Sequence, residues 1–166
     1  MSNPRQGQTL FVGIGSPHGD DRIGWRIADL LGTRMPPDIS IRKAATPSDL
    51  LDWLEGIDRL IICDACLSRG GTPQDEVHLH RWEWPTLEIA ALRSAGTHAF
   101  GLPQVLQLAE RLGTLPPDVT VLGLEGLCFD AFAELSPEVA AAIDSFIPRI
   151  QAVCAGRHAS EAAHHA

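Results

Sequence analysis

Two adjacent carboxylates, Asp20 and Asp21, follow the first apolar run of the chain, Leu10–Ile14, after a short turn. In open α/β sheets, ligands bind at the carboxyl ends of the strands, and the two aspartates would lie at such an end. Neighbouring carboxylates repel a phosphate group and attract a metal cation. The pattern therefore favours a cation site.

The glycines in this turn do not form a dinucleotide-binding fingerprint. That fingerprint has three glycines at G-x-G-x-x-G and a helix N-terminus free to bind a pyrophosphate. Gly13 and Gly15 supply the first two glycines here, but His18 occupies the third position. Because Asp20 and Asp21 stand where the phosphate would bind, nucleotide binding is only a minor alternative.

Helix capping is the competing explanation for the two aspartates. Asp is a preferred N-cap residue and suits the positive end of the helix dipole, and we favour this structural role for Asp20. Capping does not need a second carboxylate, so Asp21 is the better candidate for a functional ligand. Its place near the helix N-terminus would keep it ionised, as a metal ligand must be.

A third carboxylate, Asp64, directly follows the apolar run Leu60–Cys63. Such a run is typical of a buried, central parallel strand, and Asp64 is then expected at the same sheet edge as Asp21. An aspartate that only forms a turn explains Asp64 equally well by itself. Convergence of Asp64 with Asp21 would separate the two explanations.

Several histidines are further candidates. His98 lies among glycines ahead of a predicted helix, where a histidine is more often exposed than a ligand. His78 and His80 form an H-x-H pair on a predicted strand and could bind a metal from one face, although a solvated strand face is the commoner case. His18, in the first turn, could border the site.

Strand and helix patterns alternate and predict the α/β class: a three-layer α/β/α sandwich with a mostly parallel central sheet. Residues 1–156 are expected to form a single domain, followed by a disordered tail over residues 157–166. The expected strands are Leu10–Ile14, Ser40–Ala44, Leu60–Cys63, Val77–His80 and Val119–Leu122. The main helices are expected to begin near Asp20, to cover Pro103–Leu112, and to begin at Pro137 with Ser136 as N-cap and a kink at Pro148.

Composition excludes several classes of protein. The 166 residues suffice for one core without disulfides, and the formal net charge of −8 argues against nucleic-acid binding. No apolar run is long enough to span a membrane and no signal-peptide core is present, so we expect a cytoplasmic protein. Cys63 and Cys66 form a C-x-x-C pair, but strand spacing would point them to opposite faces, so we expect reduced, unlinked thiols.

In order along the chain, these motifs resemble those of the [NiFe]-hydrogenase maturation endopeptidases. The segments that carry the resemblance are Gly13-Ile14-Gly15-Ser16, Asp20-Asp21-Arg22-Ile23-Gly24, Leu60-Ile61-Ile62-Cys63-Asp64-Ala65 and Thr97-His98-Ala99-Phe100-Gly101-Leu102-Pro103. A terminal helix that opens with Leu135-Ser136-Pro137-Glu138 also fits, and the similarity extends from residue 9 to about residue 153.

The resemblance implies a cytoplasmic endopeptidase that removes a C-terminal extension from the hydrogenase large-subunit precursor after nickel insertion. It implies that Asp21, Asp64 and His98 are the metal-contacting and catalytic residues, with nickel supplied by the substrate. A divalent metal such as zinc or cadmium could occupy the site in the isolated protein. Neither nucleic acid nor a membrane is an expected partner.

Two departures from the family pattern matter most for the proposed site. Ser16 replaces the usual Asn, and Arg22 replaces the usual Gly after the acidic pair. Arg22 would weaken metal binding if its guanidinium pointed toward the ligands. A non-catalytic, metal-dependent binding or chaperone domain is therefore the alternative to a peptidase.

Overall fold

Five strands form one sheet in the computed structural model, which describes residues 7–67, 76–91 and 101–156. The strands are β1 (Thr9–Ile14), β2 (Ile39–Ala44), β3 (Arg59–Leu67), β4 (Leu79–Glu83) and β5 (Asp118–Gly126). Their order in the sheet is β2-β1-β3-β5-β4, and only β4 pairs antiparallel with its neighbour. The predicted mostly parallel sheet is confirmed.

Helices cover both faces of the sheet. They are α1 (Ile23–Gly32), α2 (Leu102–Arg111) and α3 (Pro137–Ala155). Apolar side chains of α1 and α3 pack on one face, and those of α2 pack on the other. Short 3₁₀ segments lie at Gly19–Arg22, Pro47–Asp52 and Leu87–Ala91. This arrangement is the predicted three-layer sandwich.

The central strand β3 is buried on both faces, which explains its continuous apolar run. Leu60 and Ile62 pack toward α2, whereas Ile61 and Cys63 pack toward α1 and α3. By the same alternation Asp64 belongs to the α2 face, and Cys66 lies on the face opposite to Cys63, as predicted.

The two longest strands extend further than the sequence pattern predicts. β3 and β5 pair without interruption from Arg59 with Asp118 to Leu67 with Gly126. Asp64 therefore lies within a strand rather than directly after one, because β5 continues to pair with β3 beyond the end of β1. β4 also lies later than predicted, at Leu79–Glu83, because it pairs with the middle of β5.

Two helix predictions also need correction. A 3₁₀ turn at Gly19–Arg22 precedes α1, which begins at Ile23 rather than near Asp20. Ser136 precedes α3 as predicted, but its side chain makes no capping hydrogen bond. α3 continues through Pro148 to Ala155 as one helix, and the kink expected at Pro148 stays a prediction.

Some predictions concern parts of the chain outside the described residues. These are the place of His98 and the disordered tail over residues 157–166. Within the described parts, no helix combines the length and the apolar character needed to cross a membrane.

Candidate functional site

Two glycines let α1 approach the end of β1 directly. A Cβ atom on Gly24 would collide with the carbonyl oxygen of Ile14, and one on Gly13 would collide with the carbonyl oxygen of Gly24. Helix and strand therefore touch backbone to backbone. This contact holds the preceding 3₁₀ turn, which carries Asp20 and Asp21, at the carboxyl edge of the sheet.

Asp20 clamps this turn to the loop between β5 and α3. Its carboxylate accepts hydrogen bonds from the backbone N–H groups of Leu127 (2.7 Å), Cys128 (2.9 Å) and Ser136 (2.7 Å). The Ser136 hydroxyl donates a fourth hydrogen bond, at 2.8 Å. Asp20 is fully buried. The interpretation of Asp20 as a helix cap is therefore wrong, because its partners lie more than 100 residues away.

Asp64 has a very different environment. It is 4% exposed, and its carboxylate accepts a hydrogen bond from the N–H group of the next residue, Ala65, at 2.8 Å. Burial, followed by the negative charge of Asp21, raises the pKa of Asp64 from 3.8 to about 8, although the Ala65 hydrogen bond opposes this shift. A cation bound here would relieve both the burial cost and the repulsion.

The 3₁₀ turn brings Asp21 close enough to Asp64 for its negative charge to raise the pKa of Asp64. The backbone carbonyl of Asp21 accepts a hydrogen bond from the N–H group of Ser16, and its own N–H group donates to the carbonyl oxygen of His18, both at 3.1 Å. The side chain stays partly exposed. The structure thus brings Asp21 and Asp64 together, whereas His98 lies outside the described residues and its place in the site stays a prediction.

Two neighbouring residues of the turn make structural contacts. The Arg22 guanidinium donates a hydrogen bond to the Pro17 carbonyl oxygen at 2.8 Å, which directs its charge to the turn backbone. His18 Nδ1 accepts a hydrogen bond from the N–H group of Phe132 at 3.0 Å, and the two rings pack edge to face. His18 therefore helps to hold the β5–α3 loop against this turn, and its place beside the carboxylates stays a prediction.

Two carboxylates alone form an incomplete metal site. Across residues 7–67, 76–91 and 101–156, no three His, Cys, Asp or Glu side chains are grouped so that they could hold a metal ion. Asp21 and Asp64 offer oxygen ligands that suit a divalent cation. A complete site needs at least one further ligand, from another part of the chain or from a bound substrate.

A family model described as HycI, hydrogenase maturation protease, matches residues 44–153. The chain belongs to the hydrogenase maturation protease family. Members of this family are endopeptidases, so the chain is a hydrolase that acts on peptide bonds. A comparison with curated protein sequences gives no significant match.

Solved structures of hydrogenase maturation proteases share the fold of the chain. The maturating endopeptidase HybD from E. coli is 25% identical, with a TM-score of 0.69 over 88% of this chain and 91% of that one. An endopeptidase from Escherichia coli, solved in solution, is 26% identical, with a TM-score of 0.71 over 89% and 94% of the two chains. A hydrogenase 2 maturation peptidase from Thaumarchaeota archaeon SCGC_AB-539-E09 is 27% identical, with a TM-score of 0.58 over 88% and 97%.

Glu125 is a charged residue at the same sheet edge that the sequence pattern did not indicate. Glu125, near the end of β5, is 4% exposed, and its carboxylate lies 2.9 Å from Nε2 of His80. Strand β5 was expected to end at Leu122, which left Glu125 without a predicted location. The histidine pair was considered a metal site or a solvated face, whereas His80 is partly buried against a carboxylate.

Proposed function

We propose that this protease removes the C-terminal extension of a nickel-loaded [NiFe]-hydrogenase large-subunit precursor. In this proposal Asp21, Asp64 and His98 bind the nickel that the precursor carries. The nickel is part of the substrate, so cleavage depends on correct metal loading. The metal orients the precursor in the site and polarises the scissile carbonyl group.

The pairing of Asp64 with Asp21 is the observation that supports this proposal most directly. Asp64 is buried, and its pKa is raised by this burial and by the negative charge of a second carboxylate, Asp21. Such an arrangement costs free energy in the unliganded protein, and a divalent cation offsets that cost. The site also lies where open α/β sheets bind their ligands.

The position of Arg22 favours a peptidase over a metal-dependent chaperone. The chaperone alternative rested on the departures from the family pattern, above all on a cation next to the proposed ligands. The Arg22 guanidinium, however, donates a hydrogen bond to the Pro17 carbonyl oxygen and is thereby held at the backbone of the turn. This contact leaves the two carboxylates available for a metal ion.

The proposal is tested by mixing the purified protease with its cognate precursor, prepared with and without nickel, and following the precursor on a gel. We expect the nickel-loaded precursor to shorten and the nickel-free precursor to stay intact. Equal cleavage of both forms would contradict the role of nickel while leaving the peptidase activity in place. Binding of the loaded precursor without cleavage would identify the protein as a chaperone.

Asp29→Asn serves as a matched control for variants of the proposed ligands. Asp29 is an exposed carboxylate of α1 that pairs with Lys43 at 2.9 Å. Exposed ion pairs contribute little to stability. This variant should therefore cleave the loaded precursor at the wild-type rate.

A further inference from the structure

A histidine on the edge strand β4 lies on the same face of the sheet as Asp64. Asp64 of β3 pairs with Gly123 of β5, and Gly123 pairs with His80 of β4. Residues paired across neighbouring strands project from the same face. Since strands lie about 4.8 Å apart, the Cα atoms of Asp64 and His80 are separated by roughly 10 Å.

The residue between them is a glycine, so β5 places no side chain between Asp64 and His80 at this level of the sheet. Asp64 on β3 and His80 on β4 therefore stand on either side of Gly123 on this face of the sheet. The His80 side chain is 33% exposed and is accessible to water.

Glu125 fixes the orientation and the tautomer of His80. The Glu125 side chain is 6% exposed and accepts a hydrogen bond from His80 Nε2 at 2.9 Å. Its other oxygen accepts one from the N–H group of His78 at 3.3 Å, and the Glu125 N–H group donates to the His78 carbonyl oxygen. The imidazole also stacks on Trp82, with ring centroids 5.4 Å apart.

An ionised carboxylate can only accept a hydrogen bond, so the Nε2 atom of His80 must carry the proton. Nδ1 of the neutral ring is then a proton acceptor, and no other described residue makes a hydrogen bond to it. A histidine held by a buried carboxylate through one nitrogen, with the other nitrogen available, is the arrangement of a general base.

We propose that His80, oriented by Glu125, is a further catalytic residue that activates the attacking water; this inference rests on the proposed endopeptidase function. His80 Nδ1 takes a proton from water as the water oxygen bonds to the scissile carbonyl carbon. The imidazolium, stabilised by Glu125, then gives this proton to the leaving nitrogen as the carbon–nitrogen bond breaks. The products are a carboxylate-bearing chain and a free amine, with no redox partner required.

The test is a single-turnover cleavage assay of nickel-loaded precursor with His80→Gln, Glu125→Gln and Arg81→Gln. Glutamine at position 80 keeps a donor for Glu125 but cannot accept a proton. We expect His80→Gln and Glu125→Gln each to slow cleavage roughly 100-fold or more, with unchanged affinity for the precursor. Arg81 lies next to His80 on the opposite face of β4, so Arg81→Gln should cleave at the wild-type rate.

Added imidazole separates a chemical role from a structural one. We expect imidazole to restore part of the activity of His80→Ala, and His80→Gln remains the deciding variant if His80→Ala does not fold. Loss of activity without rescue in a folded His80→Ala protein would assign a structural role and overturn the inference. A His80→Gln rate within about threefold of an active wild type would also overturn it, whereas an inactive wild type would refute the proposed function itself.

Discussion

Asp20 and Asp64 are both buried carboxylates at the carboxyl edge of one sheet, and their surroundings differ in kind. Asp20 accepts four hydrogen bonds, three of them from backbone N–H groups. Asp64 accepts one from its neighbour Ala65 and experiences the repulsion of Asp21. A buried charge is costly unless it is fully paired. Asp20 is therefore suited to hold the fold, and Asp64 to bind a cation.

Replacing each aspartate by asparagine should have a different consequence. Asp64→Asn should reduce activity, whereas Asp20→Asn should reduce stability. Asp64→Asn keeps the shape of the side chain and removes the charge that the metal needs. We expect it to reduce cleavage of the nickel-loaded precursor roughly 1,000-fold or more while the protein stays folded. A gel time course, with circular dichroism as the measure of folding, checks both effects.

Asp21→Asn should reduce cleavage to a similar extent, since Asp21 is proposed as a ligand of the same ion. His98→Ala should do so as well if His98 completes the ligand set. An Asp64→Asn variant that keeps more than about a tenth of the wild-type activity would show that Asp64 does not bind the metal.

The second largest effect should be on stability, at Asp20. In Asp20→Asn, an NH₂ group must take the place of an oxygen that accepts hydrogen bonds from N–H groups, so donors face each other. We expect a loss of about 3 kcal/mol in the free energy of unfolding, measured by urea denaturation. The Asp29→Asn control should change this free energy by less than about 0.5 kcal/mol. An unchanged stability of Asp20→Asn would show that the hydrogen bonds of Asp20 contribute nothing to the free energy of unfolding.

A smaller effect should appear in the pH dependence of stability. The pKa of Asp64 is 3.8 in its ordinary state and about 8 in the folded protein. Between these values the folded state holds a proton that the unfolded state has lost, so stability falls as the pH rises from about 4 to about 8. Asp64→Asn removes this contribution.

We expect wild type to lose on the order of 2 kcal/mol more than Asp64→Asn between about pH 5 and about pH 8. Urea denaturation of both proteins at several pH values measures the difference, because groups that do not interact with Asp64 contribute equally in the two proteins. Parallel stability curves for the two proteins would mean that Asp64 titrates normally in the fold. The difference between Asp64 and Asp20 would then have no electrostatic explanation.

The sequence predicted the parts of this molecule that depend on local pattern. Apolar runs located the central strands, and the rule that ligands bind at strand ends placed Asp21 and Asp64 at one edge. These predictions succeeded because apolar runs are a local property of the sequence and because the strands of a parallel α/β sheet share one carboxyl edge. The limits of β3 and β5 were less accurate, since each strand extends the other beyond the point where its own apolar pattern ends.

Long-range hydrogen bonds were the part that the sequence could not predict. The partners of Asp20 lie in the β5–α3 loop, and no spacing rule links an aspartate to backbone groups so far along the chain. Glu125 was missed for a related reason, because β5 was expected to end before it. A carboxylate that follows a buried apolar run was the signal used for Asp64, and the same signal applied to β5 points to Glu125.

Arg22 should produce the smallest effect, and it tests whether the environment of the two carboxylates depends on a neighbouring cation. Arg22→Gly restores the usual family residue and, at the N-cap position of α1, should cost only a few tenths of a kcal/mol. Arg22→Gln removes the charge and keeps a side chain that can donate to Pro17. Because the guanidinium is directed to Pro17, both variants should cleave the precursor within about twofold of wild type. A rate increase of about tenfold or more in both variants would instead show that the Arg22 charge opposes metal binding at Asp21 and Asp64. An increase confined to Arg22→Gly would show that the backbone conformation of the turn, and not the charge, limits the rate.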